Sequence, residues 1–141
     1  MGVRISPARE LSTPEIERGL LFWAGPVADG WEEVLAELTE AFVASRESAA
    51  RGESFVYIVG TDDLLGRNGP GPAMVASGLL SAARTAALEG AGKGWTANVV
   101  ATDPETDPAV ALSWAQRLLE TDDLDGEVIR LGPGHLGKAL P

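Results

Sequence analysis

Few residues of this chain are of types that could catalyse a reaction or bind a metal. There is no cysteine, which excludes thiol catalysis, disulfides and cysteine-ligated zinc. The single histidine, His135, has no second histidine with which to share a metal, and its Gly/Pro-rich surroundings favour a packed or solvent-exposed side chain. The adjacent carboxylates Asp62 and Asp63 are more typical of a solvated turn than of a cation site. We therefore expect no metal.

A glycine-rich stretch, residues 66–71, precedes a predicted helix, as phosphate-binding loops do. Such loops bind phosphate through free backbone N–H groups, and prolines in this stretch remove donors of that kind. The stretch also does not follow directly on a strand. We interpret it as an ordinary loop and expect no bound cofactor.

The charge balance of the chain argues against anionic partners. With 21 acidic and 11 basic residues, the formal net charge is -10, which repels nucleic acid and anionic membrane surfaces. No apolar run approaches the roughly 20 residues that a membrane helix needs, and the N-terminus lacks the apolar stretch of a signal peptide. We expect a cytoplasmic protein that binds neither nucleic acid nor membrane.

Strands and helices alternate along the sequence, and they decide where any site would lie. Apolar runs bounded by turn residues predict strands at 3–6, 20–24, 55–59, 95–101 and 126–131. Helical spacing and end signals predict helices at 28–50, 72–89 and 106–120, with a short helix starting at Thr13. This alternation implies parallel strands with right-handed crossovers. We predict a three-layer α/β/α fold with a mainly parallel sheet of four to five strands, a truncated Rossmann-like domain.

The helices also carry apolar faces. Helix 28–50, which Asp29 would cap, carries an apolar stripe on one face that consists of Trp31, Val34, Leu35, Leu38, Phe42 and Val43. The predicted inner face of helix 106–120 consists of Val110, Trp114, Leu118 and Leu119. Helix 72–89 is rich in Ala, Ser and Gly, which suits the close approach of another helix.

Six segments resemble, in their order and spacing, the C-terminal half of short-chain dehydrogenases/reductases. Residues 21–25 (LFWAG) resemble that family's strand ending in Asn-Asn-Ala-Gly, and residues 31–35 (WEEVL) resemble the Trp-Asp-x-Val start of its next helix. Residues 55–61 (FVYIVGT) resemble the strand that runs into the catalytic Ser. The segments that resemble Ala-Tyr-x-Ala-Ser-Lys, Val-Asn-Ala-Val-Ala and Gly-Gln-Val-Leu-Arg are 72–78, 97–101 and 126–130.

The resemblance implies functional positions, and this sequence departs from them. Thr61 stands at the position of the family's Ser, thirteen residues before Met74, which stands at the position of the Tyr. Gly78 stands at the position of the Lys, and Glu37 falls near that of a helix Asn. Met and Gly exchange no proton, whereas general acid catalysis requires a group that does. The family's glycine-rich dinucleotide loop, which would precede residue 20, has no counterpart upstream.

These departures lead to the hypothesis of a non-catalytic subunit, a pseudoenzyme. The resemblance divides the chain into an N-terminal segment (1–19), a truncated dehydrogenase-like domain (20–134) and a tail (135–141). In this family the two long helices pair across a two-fold axis, which implies a homo-oligomer or a hetero-oligomer with a full-length short-chain dehydrogenase. The expected interface residues are Trp31, Leu35, Leu38, Phe42, Ala73, Ala76, Ser77, Leu80 and Arg84. Strand 3–6 is expected to cover the edge of strand 20–24.

Two other functions stay open. A binding module for a small ligand, acyl-CoA or a nucleotide-like molecule, would have its pocket at the carboxyl ends of the strands. A remodelled small-molecule enzyme would act through Thr61, Asp62 and Glu37.

Overall fold

The structure is a computed structural model that describes residues 2–5 and 15–133. Its elements are, in chain order, β1 (Gly2–Ile5), β2 (Leu20–Trp23), α1 (Trp31–Ala50), β3 (Phe55–Gly60), α2 (Thr61–Leu64), α3 (Pro70–Gly90), β4 (Ala97–Thr102), α4 (Pro108–Glu120) and β5 (Val128–Leu131). The predicted helix start at Thr13 and the tail with His135 lie outside the described residues. The predicted alternation of strands and helices is confirmed, and α2 adds one helical turn to a segment that was predicted as loop.

The five strands form one sheet in the order β1-β2-β3-β4-β5, and every neighbouring pair is parallel. The central strands β3 and β4 are buried on both faces, which explains their nearly continuous apolar sequences. Val3 of β1 lies opposite Leu21 of β2, so the prediction that this segment covers the edge of β2 is confirmed. The predicted parallel, three-layer α/β/α fold is also confirmed.

Helices cover both faces of the sheet and create two apolar cores, because successive strand residues point to opposite faces. The core on the side of α1 and α3 includes Phe22, Tyr57, Val59, Val99, Val34 and Leu79. The core on the side of α4 includes Leu21, Ile58, Val100, Ala115 and Leu118. None of the helices in the described part of the chain combines the length and apolar character that crossing a membrane demands.

Helix α1 buries three polar side chains against the sheet. Its buried residues are Val34, Glu37, Ala41, Ser45 and Ser48. Of the apolar stripe only Val34 is fully buried, whereas Trp31, Leu35 and Phe42 are 64%, 50% and 62% exposed. Most of the apolar stripe therefore lies on the outer side of the helix. The buried serines and Glu37 find hydrogen-bond partners inside the protein, which the periodicity of one helix does not reveal.

Helix α4 differs in part from its prediction. Its buried residues are Ala111, Leu112, Ala115 and Leu118. Leu118 is inside as predicted and Leu119 packs half-buried against the same core, but Val110 and Trp114 lie on the outer side. The Arg117 guanidinium lies 5.4 Å from the centroid of the Trp114 ring. Alanines at the inner positions allow α4 to lie close to the sheet, and this places the larger side chains outside.

Helices α1 and α3 contact each other near their N-termini, at two glycines. A Cβ added at Gly71 would lie 2.4 Å from the Ala28 carbonyl oxygen, and one at Gly78 would lie 3.0 Å from Leu38 Cδ2. The close approach predicted for this small-residue helix is thus found within the chain. Asp29, predicted as the cap of α1, instead accepts a hydrogen bond from the Gly71 N–H in the first turn of α3, at 2.9 Å.

Candidate functional site

Thr61 lies at the carboxyl edge of the sheet, as the first residue of α2 directly after β3. The residue is 1% exposed. Among the residues that the structure describes, its Oγ1 has no hydrogen-bond partner. The hydroxyl that the resemblance assigns to catalysis is therefore enclosed by the protein and does not reach solvent.

Met74 and Gly78, at the positions that the resemblance assigns to Tyr and Lys, lie about one turn apart on α3. Met74 is 44% exposed. Gly78 is half-buried where Leu38 of α1 contacts it. Neither side chain carries a group that exchanges a proton, so this part of α3 provides helix packing and apolar surface.

Glu37 is a buried carboxylate whose ion-pair and hydrogen-bond partners lie in the same chain. Arg4 of β1 forms a bidentate ion pair with it, in which Nη1 donates to Oε2 at 3.0 Å and Nη2 donates to Oε1. The Gly25 N–H, just after β2, donates to the same Oε2 at 2.8 Å. Arg4 also donates to the Trp23 carbonyl at 3.1 Å. Glu37 therefore fastens the outer strand β1 to the sheet.

The remodelled-enzyme hypothesis requires Thr61 and Asp62 to act together with that carboxylate. No hydrogen bond joins the three in the described residues. Asp62 instead accepts from Arg67 at 2.9 Å, and Asp63 accepts from Asn68 at 2.7 Å, so both carboxylates stabilise their own loop. Across residues 2–5 and 15–133, no group of three or more His, Asp or Glu side chains is placed to hold a metal ion.

One glycine spacing of dinucleotide-binding loops, G-x-G-x-x-G, occurs at 132–137. It follows the last strand, whereas such loops bind phosphate between a strand and the helix after it. Residues 134–137 lie outside the described part of the chain. We assign no cofactor to this segment.

A groove of about 680 Å³ runs between α1 and α3, toward the amino ends of the strands. Phe55, Tyr57 and Trp95 form its floor, and the rings of Phe55 and Trp95 stack with their centroids 5.8 Å apart. The helical walls include Phe42, Ser45, Arg46, Ala82, Thr85 and Glu89. This groove lies at the opposite end of the strands from the pocket that the sequence predicts for a small ligand.

Two buried hydroxyls meet at the floor of the groove. Ser45 Oγ donates its one proton to the Ala41 carbonyl at 2.7 Å. In the 2.6 Å hydrogen bond between Ser45 Oγ and the Tyr57 hydroxyl, the tyrosine is therefore the donor. Burial raises the pKa of the Tyr57 hydroxyl above its ordinary value, so the group stays protonated and this arrangement holds at neutral pH.

The architecture agrees with that of solved structures, although no family model and no curated protein sequence matches the chain. A short chain dehydrogenase from Mycobacterium smegmatis is 17% identical with a TM-score of 0.65, and the match covers 84% of this chain and 59% of that one. 3-Hydroxyacyl-CoA dehydrogenase type-2 from Mycobacterium avium is 13% identical with a TM-score of 0.66, and the match covers 81% of this chain and 65% of that one. An oxidoreductase of the short chain dehydrogenase/reductase family from Burkholderia thailandensis is 19% identical with a TM-score of 0.65, and the match covers 81% of this chain and 63% of that one.

The chain has the short-chain dehydrogenase fold. The identities of 13–19% make this a likeness of fold, and the chain spans 59–65% of the length of those three proteins. The resemblance that the sequence motifs suggest is thus confirmed at the level of a truncated Rossmann-like domain.

The predicted interface residues of this short-chain-dehydrogenase-like domain fall into two groups. Those at the surface are Trp31, Leu35, Phe42, Ser77 and Arg84, with Leu38 and Ala73 half-buried. Ala76 and Leu80 are buried in the chain's own core, 2% and 5% exposed, because both lie on the side of α3 that packs on the sheet. These two residues therefore offer no surface to a partner.

The groove is the feature that sequence reasoning missed. The sequence contains a signal for it. The small side chains of helix α3 lie between two aromatic segments, the start of β3 and Trp95, which form the floor of the groove. Only the tertiary structure shows that these small residues face α1 across an open space. A run of small residues indicates close packing or a gap, and the sequence does not distinguish the two.

Proposed function

We propose that this chain is a non-catalytic subunit of the short-chain dehydrogenase type that associates through the outer side of α1 and α3. We call the surface formed by Trp31, Leu35, Met74 and Ser77 the association face. The partner is a second subunit with the same fold, in the first instance another copy of this chain. The observation that carries the proposal is the exposure of large apolar side chains on the outer side of α1.

The association face exposes large apolar side chains. Trp31, Leu35 and Met74 are 64%, 50% and 44% exposed. Soluble proteins rarely leave contiguous apolar side chains of this size uncovered unless a function uses them. The sheet already covers the other side of α1, and in the proposed assembly a second molecule buries these residues.

Both helices contribute exposed side chains to the association face. Trp31 and Leu35 lie on α1, and Met74 and Ser77 lie on α3. In a two-fold dimer each contact between the helices of the two copies forms twice. A full-length dehydrogenase with equivalent helices presents the same kind of surface.

The proposal of a non-catalytic role rests on the residues near the carboxyl edge. Met74 and Gly78 carry no titratable group, and the Thr61 hydroxyl is buried. The Glu37 carboxylate is paired with Arg4. General acid–base catalysis needs a titratable group within hydrogen-bond reach of the substrate. Met74, Gly78 and Thr61 supply none, and Arg4 already engages the Glu37 carboxylate.

Oligomeric state tests the association. Size-exclusion chromatography with light scattering should give a dimer for the wild-type chain and a monomer for Leu35→Glu, because an unpaired carboxylate opposes burial in an interface. The control is Val110→Glu on α4, where the wild-type side chain is similarly exposed, 44% against 50%. This variant should stay dimeric. A wild-type chain that remains monomeric and binds no full-length short-chain dehydrogenase on co-expression contradicts the proposal.

Activity tests the non-catalytic role. The purified chain should not turn over carbonyl substrates with NADH or NADPH. Turnover that disappears in Thr61→Ala or Glu37→Gln but persists in Glu40→Gln would establish the remodelled enzyme instead.

A further inference from the structure

We infer that the groove between α1 and α3 is a binding site for a medium-chain aliphatic carboxylate. The apolar tail lies over Phe55, Tyr57 and Trp95, and the carboxylate lies at the rim beside Arg46 and Lys93. This inference goes beyond the proposed function. It concerns the C-terminal halves of the two helices, whereas the association face lies on their N-terminal halves.

The groove begins where α3 lies closest to α1. Gly71 brings α3 against Ala28, in the loop before α1, and Gly78 brings it against Leu38, and both Leu38 and Gly78 line the groove. Beyond Gly78, small side chains of α3 face the space above the aromatic floor and leave about 680 Å³. Pockets for small molecules span roughly 300–1,000 Å³ and are mostly apolar, so the space has the size and lining of a ligand site.

The chemistry of the floor suits a tail without polar groups. Ser45 donates its proton to Ala41, and Tyr57 donates its proton to Ser45. Both hydroxyl protons are therefore used inside the protein. Alongside the rings of Phe55 and Trp95, the floor offers apolar contact and no spare hydroxyl donor, which favours an aliphatic chain over a polar one.

The chemistry of the rim suits an anionic head group. Arg46 and Lys93 are exposed at the rim, and Glu89 is the carboxylate that lines the same groove. The Arg46 guanidinium lies 5.5 Å from the centroid of the Phe42 ring, which holds the cation beside the opening. With Arg46 and Lys93 against the carboxylate of Glu89, the charged residues that line the groove have a positive sum, although the net charge of the chain is -10. This local charge complements a carboxylate.

Calorimetric titration with two probes of equal tail length tests the site on the intact chain. Sodium decanoate should bind saturably. Decyltrimethylammonium, which carries the same tail and the opposite charge, should bind several-fold more weakly. Equal affinity for the two probes would overturn the assignment of the rim as an anion site.

Two pairs of variants locate the binding. Ala82→Phe places a ring in the groove from an exposed position on α3 and should abolish decanoate binding, whereas Ala109→Phe, at an exposed position on α4, should not. Arg46→Gln should weaken decanoate binding by about two- to fivefold, the value of an exposed ion pair. Arg117→Gln removes the same charge from α4 and should leave the affinity unchanged.

Absence of saturable decanoate binding, or binding that survives Ala82→Phe, overturns the inference. Thermal unfolding of each variant shows whether the fold is retained. If Ala82→Phe does not fold, Arg46→Gln still tests the site, because it changes only an exposed side chain. Oligomeric state and ligand binding are measured separately. A chain that binds decanoate but stays monomeric and binds no full-length short-chain dehydrogenase contradicts only the proposed function. A dimer that does not bind decanoate contradicts only this inference.

Discussion

The carboxyl edge of the sheet and the outer side of the α1–α3 pair differ in whether their side chains find partners within the chain. At the edge, Glu37 is paired with Arg4, and Asp103 accepts two hydrogen bonds from Arg130, at 3.0 and 3.2 Å. On the outer side, Trp31 is exposed and the groove between α1 and α3 is lined largely by apolar side chains. Groups that already have partners hold a fold together, whereas exposed apolar surface favours binding. The paired side chains at the edge therefore contribute to stability, and the outer side of the helices is where the proposed association and ligand site lie.

The largest expected effect breaks the ion pair at the edge. Arg4→Met should lower the free energy of unfolding by about 3 kcal/mol, because it leaves the Glu37 carboxylate buried without its cation. Urea denaturation followed by circular dichroism measures the change. Arg67→Met is the control. It removes an equal charge from the ion pair between Arg67 and Asp62, whose two side chains are 60% and 29% exposed respectively. It should lower the free energy of unfolding by less than about 1 kcal/mol. Equal losses in the two variants would show that Glu37 is not held as described.

The next effect concerns the contact that closes the N-terminal ends of α1 and α3. Gly71→Ala should cost about 2 kcal/mol by overpacking, because its Cβ would meet the backbone of Ala28 and Asp29. Gly78→Ala is the matched control on the same helix. Its Cβ meets only the flexible end of Leu38, and the gain in helix propensity of about 1 kcal/mol offsets that contact. Chemical denaturation should therefore separate the two variants, and a neutral Gly71→Ala would contradict the close approach.

Thr61 sharpens the comparison, since its hydroxyl is buried at the edge without a hydrogen-bond partner among the described residues. Thr61→Val should raise the free energy of unfolding by about 1 kcal/mol, because it removes the cost of an unsatisfied hydroxyl. Thr96 is also buried, but its Oγ1 donates to Ser54 Oγ at 3.2 Å. Thr96→Val should therefore lower stability by a similar amount. Parallel thermal and urea unfolding of the two variants gives the comparison, and losses in both would mean that Thr61 has a partner.

The smallest effect tests the floor of the groove. Burial raises the pKa of Tyr57, so folding favours its neutral form. The stability that this contributes is complete below the ordinary tyrosine pKa of about 10 and is lost as pH rises through the higher pKa of the folded state. Tyr57 is the only tyrosine of the chain, so ultraviolet titration reports on it alone. Tyr57→Phe should lack this alkaline component, and an identical pH profile in both proteins would contradict the burial.

Much of the fold could be predicted from the sequence. The apolar runs at 20–24 and 55–59 predicted buried parallel strands, and the sheet confirms both. The strand at 3–6 was assigned to the edge of β2, where β1 lies. The motifs placed Thr61 at the end of β3 and the departures Met74 and Gly78 on one helix. Those predictions succeeded because strand length, alternation and turn chemistry are local properties of the chain.

The sequence by itself thus determined the order of the elements and the parallel sheet. The tertiary structure decided which side of α1 faces the sheet, that Glu37 pairs with Arg4, and that α1 and α3 part to leave a groove. The physical reason is that these features depend on partners far along the chain. Arg4 and Glu37 are 33 residues apart, and a helical pattern shows which residues share a face but not whether that face finds a polar partner, an apolar core or open space.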